Sequence, residues 1–220
     1  MGLFDLIFPK MCLECGKEGK YICEDCISKV SKANTICPYC RHFSINGVTH
    51  ENCQKEYGLD GLISIWKYKG VIRKAILALK YKYATEIGKE ISEYTIASLR
   101  KLTLPSVYNL VPIPIYWHKQ NTRGFNQSIE LGGNIAENLR LKFMTDLLIK
   151  KIQTVPQAEL SKEKRQKNLK GSFGINPNIE IPNSVLLFDD VFTTGSTLFE
   201  ATKVLKEGGV KKVWGLTITM

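Results

Sequence analysis

The stretch VLLFDDVFTTGST at positions 185–197 constrains the fold of this chain more than any other. It joins an apolar run, two adjacent carboxylates and a turn of hydroxyl side chains around a glycine. An apolar run bounded by a turn is typical of a buried strand in a parallel sheet, and STLFEATKVLKEGG has the pattern of a helix that ends at glycine. In such strand–turn–helix units, ligands bind at the carboxyl end of the strand. The stretch therefore predicts an open parallel sheet and the position of its site.

The residues at this strand end indicate the chemistry of the ligand. Asp189 and Asp190 can accept hydrogen bonds from neighbouring hydroxyl groups, and one of them can act on Mg²⁺ directly or through water. The backbone amides of the turn, together with the helix N-terminus, can bind a phosphate. A ribose 5-phosphate matches both features, because its hydroxyl groups can bind the carboxylates and its phosphate can bind the turn. The turn residues predicted to contact it are Thr193, Thr194, Gly195, Ser196 and Thr197.

Two other nucleotide-binding folds are disfavoured. The chain contains neither GxxxxGK[ST], the motif of a P-loop NTPase, nor GxGxxG, the motif of a dinucleotide-binding fold. The alternative is an acidic strand end followed by a helix cap with no ligand at all. The combination of all three features favours ribose-phosphate binding.

Strand-like and helix-like segments alternate through positions 59–220. LISIWKYKG alternates as a strand does, VIRKAILALKYKYATEIGKEISEYTIASL has the spacing of one or two amphipathic helices, and VYNLVPIPI is again strand-like. A helix near SIELGGNIAENLRLK, a possible strand at LLIKKI and a final strand at VKKVWGLTIT complete the pattern. We predict an α/β fold with a mostly parallel sheet flanked by helices for 59–220, and a separate small module for 1–58.

All seven cysteines precede residue 54, and most form CxxC pairs. The stretch that contains them is short of large aliphatic residues, so it needs a cross-link to fold. Metal thiolates are favoured over disulfides, because no export signal accompanies the cysteines. Four thiolates close a tetrahedral structural Zn²⁺ site that leaves no open position for catalysis. The predicted ligands are Cys12, Cys15, Cys23 and Cys26.

The remaining cysteines suggest a possible second zinc site. Cys37 and Cys40 form a further CxxC, and Cys53 stands alone. The fourth ligand would be His42, His50 or Glu56. The alternatives are that these three cysteines bind no metal, or that ligands are exchanged between the pairs. The module either replaces a missing apolar core or docks nucleic acid or protein.

The net charge of +10 suits nucleic acid, a phosphorylated small molecule or simple solubility. The segment WKYKGVIRKAILALKYKY interleaves aromatic and basic residues, as single-stranded nucleic-acid binders do, although an amphipathic helix beside a strand also explains it. The bases concerned are Lys67, Lys69, Arg73 and Lys74. Neither a secretory leader nor an apolar run of about 20 residues is present, so we expect a cytoplasmic protein without membrane insertion.

The stretch 189–197 resembles the phosphoribosyl pyrophosphate (PRPP) signature of type I phosphoribosyltransferases. The N-terminal cysteine pairs and three further segments resemble one branch of these proteins, the ComF family of competence-associated proteins. The segments are Val111-Pro-Ile-Pro114 with Arg123-Gly-Phe-Asn-Gln127, then Thr154-Val-Pro-Gln157, and then Arg165-Gln-Lys-Asn168 with Gly171-Ser-Phe173. The resemblance covers essentially the whole chain. Two features depart from it: Cys53 has no CxxC partner, and the last strand ends in TITM.

The resemblance implies a phosphoribosyltransferase-like fold, PRPP with Mg²⁺ as ligand, and a role in the uptake or processing of single-stranded DNA, with a competence helicase or DNA-processing protein as possible partner. It places pyrophosphate on the loop after the VYNLVPIP strand and a lid over 150–170. Each of these segments can also be an ordinary polar connector. The residues assigned to the loop are Arg123, Gly124, Asn126 and Gln127, and those assigned to the lid are Arg165 and Asn168.

Two classes of function remain open at the level of sequence. In a transferase, Asp189 and Asp190 orient the sugar while Arg123 and Mg²⁺ stabilise the departing pyrophosphate, so these residues are the candidate catalytic ones. In a non-catalytic module, the same site senses PRPP and the basic surface binds nucleic acid or protein. The sequence does not identify an acceptor.

Overall fold

The computed structural model describes residues 9–79, 84–115, 126–151 and 171–220. Its main sheet has five strands in the order β1-β7-β6-β2-β3, and every neighbouring pair is parallel. The strands are β1 (Gly61–Trp66), β2 (Asn109–Pro112), β3 (Lys142–Phe143), β6 (Ser184–Val191) and β7 (Lys212–Thr219). Two short strands, β4 (Leu148–Lys150) and β5 (Phe173–Ile175), form a separate antiparallel pair. The predicted α/β fold with a mostly parallel sheet is confirmed.

Helices lie on both faces of the main sheet. They are α1 (Glu24–Ser28), α2 (Gly70–Ala78), α3 (Ala84–Leu99), α4 (Gln127–Leu139) and α5 (Ser196–Glu207). Within these ranges, no helix has the length and apolarity needed to cross a membrane.

Strand β6 shows why its sequence is an unbroken apolar run. Leu186 and Phe188 point into a core shared with α2, α3 and α4, whereas Val185 and Leu187 point into a second core shared with α5 and the β4–β5 pair. Successive side chains of a strand face opposite sides of a sheet, so a strand covered on both faces has no polar position in its centre. After this apolar run, the first polar residue of β6 is Asp189, near the carboxyl end of the strand.

The cysteine-bearing segment packs against the main sheet and its helices. Cys12, Cys23 and Cys26 belong to the same apolar cluster as residues of α2, α3 and the sheet. The Glu90 carboxylate of α3 accepts hydrogen bonds from the backbone amides of Tyr21 (3.2 Å) and Ile22 (2.8 Å). The division at residue 58 stays a prediction, and the two parts share one core.

Candidate functional site

The two predicted carboxylates lie at the carboxyl end of the central strand. Asp189 is aligned with Thr217 of β7, and β2 ends on the other side of β6, where Pro112 is aligned with Phe188. Parallel neighbours place their carboxyl ends at one edge of a sheet, which forms a crevice between the following loops. The carboxylates therefore face the region where ligands of open α/β sheets bind.

Asp189 and Asp190 are electrostatically coupled. The backbone N–H of Asp190 donates a hydrogen bond of 2.9 Å to Oδ1 of Asp189. Burial raises the pKa of Asp189 well above its usual range, and the negative charge of Asp190 raises it further. A carboxyl group in this state gains a favourable partner when a hydroxyl donor or a cation arrives, because either one compensates the desolvated charge.

The turn after β6 is built around Gly195. This residue has φ of +82° and forms the N-cap of α5. A Cβ atom here would lie 2.6 Å from the ring of Phe199 and 2.8 Å from that of Phe192, so only glycine fits. The N–H of Ser196 donates to Oγ1 of Thr194 (3.3 Å), and the two side-chain oxygens are 2.7 Å apart.

This turn has the properties of an anion site. Thr193 is exposed, whereas Thr194 and Thr197 are half-buried and Ser196 is buried. The first amides of α5 point out of the helix end and carry its positive partial charge. Hydroxyl groups and backbone amides thus converge at the helix N-terminus, a few residues from the paired carboxylates.

The predicted pyrophosphate loop is described only at its end. Arg123 and Gly124 lie outside the described residues, as do Arg165 and Asn168 of the predicted lid. Asn126 is buried at the N-cap of α4: its Oδ1 accepts from the N–H of Ser128 (2.9 Å) and its Nδ2 donates to the carbonyl of Ile113 (3.3 Å). Both ends of this amide thus serve to start α4 directly after the loop.

Gln127 differs from its neighbour. Its side-chain nitrogen Nε2 is buried, and no hydrogen-bond partner for it lies within the described ranges. A buried polar group without a partner is costly, and such groups occur at binding sites. Among the described residues, this donor therefore has no partner, and Gln127 is one of the residues predicted to bind pyrophosphate.

The four cysteines of the first predicted zinc site lie together. The ligand atoms of Cys12, Cys15, Cys23 and Cys26 are all within 4.8 Å of one another, and all seven cysteines of the chain are free. Burial raises the pKa of the Cys12 thiol, but hydrogen bonds from the amides of Cys15 and Cys23 outweigh it and lower that pKa to about 6. Amides directed at a sulfur stabilise the thiolate form that a metal requires. This donor set fits a structural Zn²⁺.

A second group consists of Cys37, Cys40, His50 and Cys53, again with all ligand atoms within 4.8 Å. Nδ1 of His50 lies 3.3 Å from Sγ of Cys40, and Nε2 lies 3.0 Å from the carbonyl oxygen of Phe43. A carbonyl only accepts, so Nε2 carries the proton and Nδ1 keeps its lone pair for a metal. Of the three candidates for the fourth ligand, the structure selects His50.

The four basic residues of the segment WKYKGVIRKAILALKYKY that the sequence analysis singled out do not form one cluster in the structure. Lys74 forms an ion pair of 3.0 Å with Glu14, while the guanidinium of Arg73 lies 5.7 Å from the centre of the Tyr68 ring. Lys67 and Lys69 line a pocket of about 440 Å³ with Tyr68. This pocket adjoins the carboxyl ends of β1 and β7, on the same edge of the sheet as the carboxylates.

The sequence analysis missed a set of residues behind the turn: Tyr39, Arg41, Phe192 and Phe199. The Nη2 atom of Arg41 donates a hydrogen bond of 2.9 Å to the carbonyl of Thr193. No local pattern indicates this contact, because its partners are 152 positions apart.

Comparison with known proteins gives relatives along nearly the whole chain. The sequence is 29% identical to competence protein F of Haemophilus influenzae over 211 residues, covering 89% of each chain. It is 27% identical to DNA utilization protein YhgH of Escherichia coli K12 (90% of this chain, 91% of that protein) and 26% identical to competence protein ComFC of Streptococcus pneumoniae (87% and 84%). No protein-family model matches the sequence.

Among solved structures, the chain is similar to adenine phosphoribosyltransferases. The protein from Trypanosoma brucei matches with a TM-score of 0.34 and 17% identity, over 59% of this chain and 51% of that one. The protein from Leishmania tarentolae matches with a TM-score of 0.35 and 16% identity, over 60% and 70%.

Proposed function

We propose that this chain, which is similar to competence protein F, YhgH and ComFC over 87–90% of its length, is a ComF-family protein that binds PRPP at the carboxyl edge of its sheet. The observation that carries the proposal is the pair Asp189 and Asp190 at the end of β6, shortly before the turn around Gly195 at the N-terminus of α5. Paired acids at one end and an amide-lined turn at the other match a phosphorylated sugar, and a nucleobase or a peptide would leave one half unused.

Each half of the site has a proposed role. The carboxylates of Asp189 and Asp190 accept hydrogen bonds from the 2- and 3-hydroxyls of the ribose, and Mg²⁺ bound with PRPP lowers their mutual repulsion. The turn, 193–197, binds the 5-phosphate. We assign pyrophosphate binding to Arg123, Gly124 and Gln127, and to the predicted lid residues Arg165 and Asn168.

As a transferase, the site would promote departure of pyrophosphate from C1 of the ribose. The C1–O bond breaks with its electron pair going to pyrophosphate, the sugar gains oxocarbenium character, and an acceptor lone pair forms the new bond at C1. The carboxylates orient the ring, and Arg123 stabilises the charge on the leaving group. The names of the relatives, which refer to competence and DNA utilization, support a role for this chemistry or for PRPP binding alone in DNA uptake.

Calorimetric titration with PRPP, in the presence and absence of Mg²⁺, tests the site. We expect saturable binding that the double variant Asp189→Asn, Asp190→Asn weakens by at least about 100-fold. Glu180→Gln is the matched control, because this exposed carboxylate precedes the opposite, amino end of β6. Equal PRPP affinity in the double variant and the control would remove the proposal.

A second candidate function is direct binding of single-stranded nucleic acid. The pocket formed by Lys67, Lys69 and Tyr68 favours it, since two cations beside a half-buried aromatic ring can bind a phosphodiester and contact a base. We expect oligonucleotide retention that weakens with salt and is lost in Lys67→Ala, Lys69→Ala. Lys74→Ala is the matched control, because Lys74 is already paired with Glu14. If the double lysine variant retained the oligonucleotide as well as the wild-type protein does, this pocket would not be the nucleic-acid site.

A further inference from the structure

We propose that the second cysteine cluster holds the phosphate-binding turn in place, with Tyr39 and Arg41 as positioning residues. Loss of metal from Cys37, Cys40, His50 and Cys53 then loosens a turn that lies about 150 positions away along the chain. The consequence for phosphate affinity rests on the proposed function, whereas the consequence for the order of the turn does not.

Arg41 connects the cluster to the turn through two kinds of contact. Its Nη2 donates to the carbonyl of Thr193 at 2.9 Å, and its guanidinium lies 4.3 Å from the centre of the Phe192 ring. A planar guanidinium can stack and donate at once, which a lysine ammonium cannot. Arg41 therefore holds both the backbone of Thr193, the first residue of the turn, and the aromatic ring that precedes it.

Tyr39 supports the turn from a second direction. Its ring stacks on that of Phe199, with centroids 4.8 Å apart and an angle of 10°. Phe199 and Phe192 are also the rings that close around Gly195. The hydroxyl oxygen of Tyr39 accepts a hydrogen bond from the N–H of Leu59 (2.8 Å). This bond and the ring stacking together fix the position of the Tyr39 side chain. The turn is therefore packed against aromatic rings, and one of them, Tyr39, lies between two cysteines of the cluster in the sequence.

The positions of Tyr39 and Arg41 depend on the cluster because they flank Cys40. The backbone is bent here: the N–H of Arg41 donates to the carbonyl of Cys37 (3.0 Å), and Arg41 has φ of +65°. A non-glycine residue in this region is strained, and such strain persists only where the surroundings impose it. Four metal ligands around the bend supply that constraint, and their loss lets the bend relax.

The two residues that flank Cys40 and the residues of the turn line the same cleft. Its volume is about 700 Å³, and its lining includes Tyr39, Arg41, Thr194 and Ser196. Lys55 and Lys203 line it as well. A phosphate on the turn would therefore lie on a surface that the cysteine cluster helps to build.

Hydrogen exchange with metal analysis tests the coupling without any ligand. The variant is His50→Ala, and its control is His42→Ala, an exposed histidine of the same loop that is outside the metal group. We expect His50→Ala to lose one of two bound metal ions and to speed amide exchange in 193–199 by at least about tenfold more than in β7. His42→Ala should change neither. A variant that lacks one metal ion yet keeps full protection of the turn would overturn the proposal.

Variants of Arg41 show whether this residue positions the turn or only supplies a positive charge, and they leave all metal ligands intact. We expect Arg41→Ala and Arg41→Lys to speed exchange in the turn alike and to weaken ribose 5-phosphate binding by about tenfold each, with both metal ions retained. Wild-type affinity in Arg41→Lys would reduce Arg41 to a source of charge and refute the positioning role. If wild-type protein binds no phosphorylated pentose, the proposed function fails, while the exchange data still decide the coupling.

Discussion

At the scale of single residues, Asp189 illustrates a conflict between stability and binding. Its carboxyl group is desolvated at the end of a buried strand and faces a second carboxyl, and both effects raise its pKa. The folded protein therefore holds this proton more tightly than the unfolded chain. Its contribution to stability is full below the unfolded pKa, which is about 3.9, and is lost as the pH rises through the raised folded pKa.

We accordingly expect Asp189→Asn to increase the free energy of unfolding at neutral pH by about 1 kcal/mol while it weakens PRPP binding. The asparagine Oδ1 can still accept the hydrogen bond from the Asp190 N–H, so that contact is kept. Urea unfolding at a series of pH values measures the effect, which should shrink as the pH falls. Glu180→Gln should show no such trend, and a loss of stability in Asp189→Asn at neutral pH would contradict the assignment.

At the scale of elements, the strand β6, the turn and the helix α5 form one unit whose shape depends on Gly195. The left-handed backbone conformation lets the chain reverse from strand to helix within a few residues. The rings of Phe192 and Phe199 then close the space beside the glycine. The left-handed backbone conformation and the packing of the two rings are thus independent reasons for a glycine at position 195.

Two glycine substitutions separate these requirements. Gly171 has a similar φ of +70°, but among the described residues no atom lies within 4 Å of a Cβ placed there. We expect Gly171→Ala to cost about 1 kcal/mol from backbone strain alone, and Gly195→Ala to cost a further 1–3 kcal/mol, roughly, because the rings must move. Thermal unfolding of the two variants measures the difference. Equal costs would show that the rings do not confine the turn.

At the scale of the whole molecule, the cysteine-bearing segment and the sheet are parts of one packed structure. Beyond the shared core, the hydroxyl of Tyr94 donates to the carbonyl of Ile22 (3.0 Å), and Nζ of Lys32 donates to the hydroxyl of Ser98 (2.8 Å), so two further contacts join the cysteine-bearing segment to α3.

We therefore expect metal removal to destabilise the entire protein. Incubation with a strong chelator should lower the single unfolding temperature seen by calorimetry, because a site that binds only the folded chain contributes its binding free energy to folding. Far-ultraviolet dichroism should report the same midpoint as tryptophan fluorescence. Two separate transitions, with only the first sensitive to chelation, would instead indicate independent domains.

Much of the fold was predictable because its signals are local. The buried run before Asp189, the helix that follows the turn and the alternation of strands and helices all arise from neighbouring residues, so the predicted α/β class is confirmed. The first four cysteines lie together as predicted, since two CxxC pairs impose this arrangement at short range. The contacts of Arg123, Gly124, Arg165 and Asn168 stay predictions, because these residues lie outside the described ranges.

The amino-acid sequence alone determined the types of element, the class of the fold and the chemistry of the strand end, because backbone preference and burial pattern act over a few residues. Tertiary structure decided which histidine completes the second cluster, that β4 and β5 pair apart from the main sheet, and that Arg41 contacts Thr193. Each of these depends on the distance between segments far apart in the chain, and such distances are set only when the whole core packs.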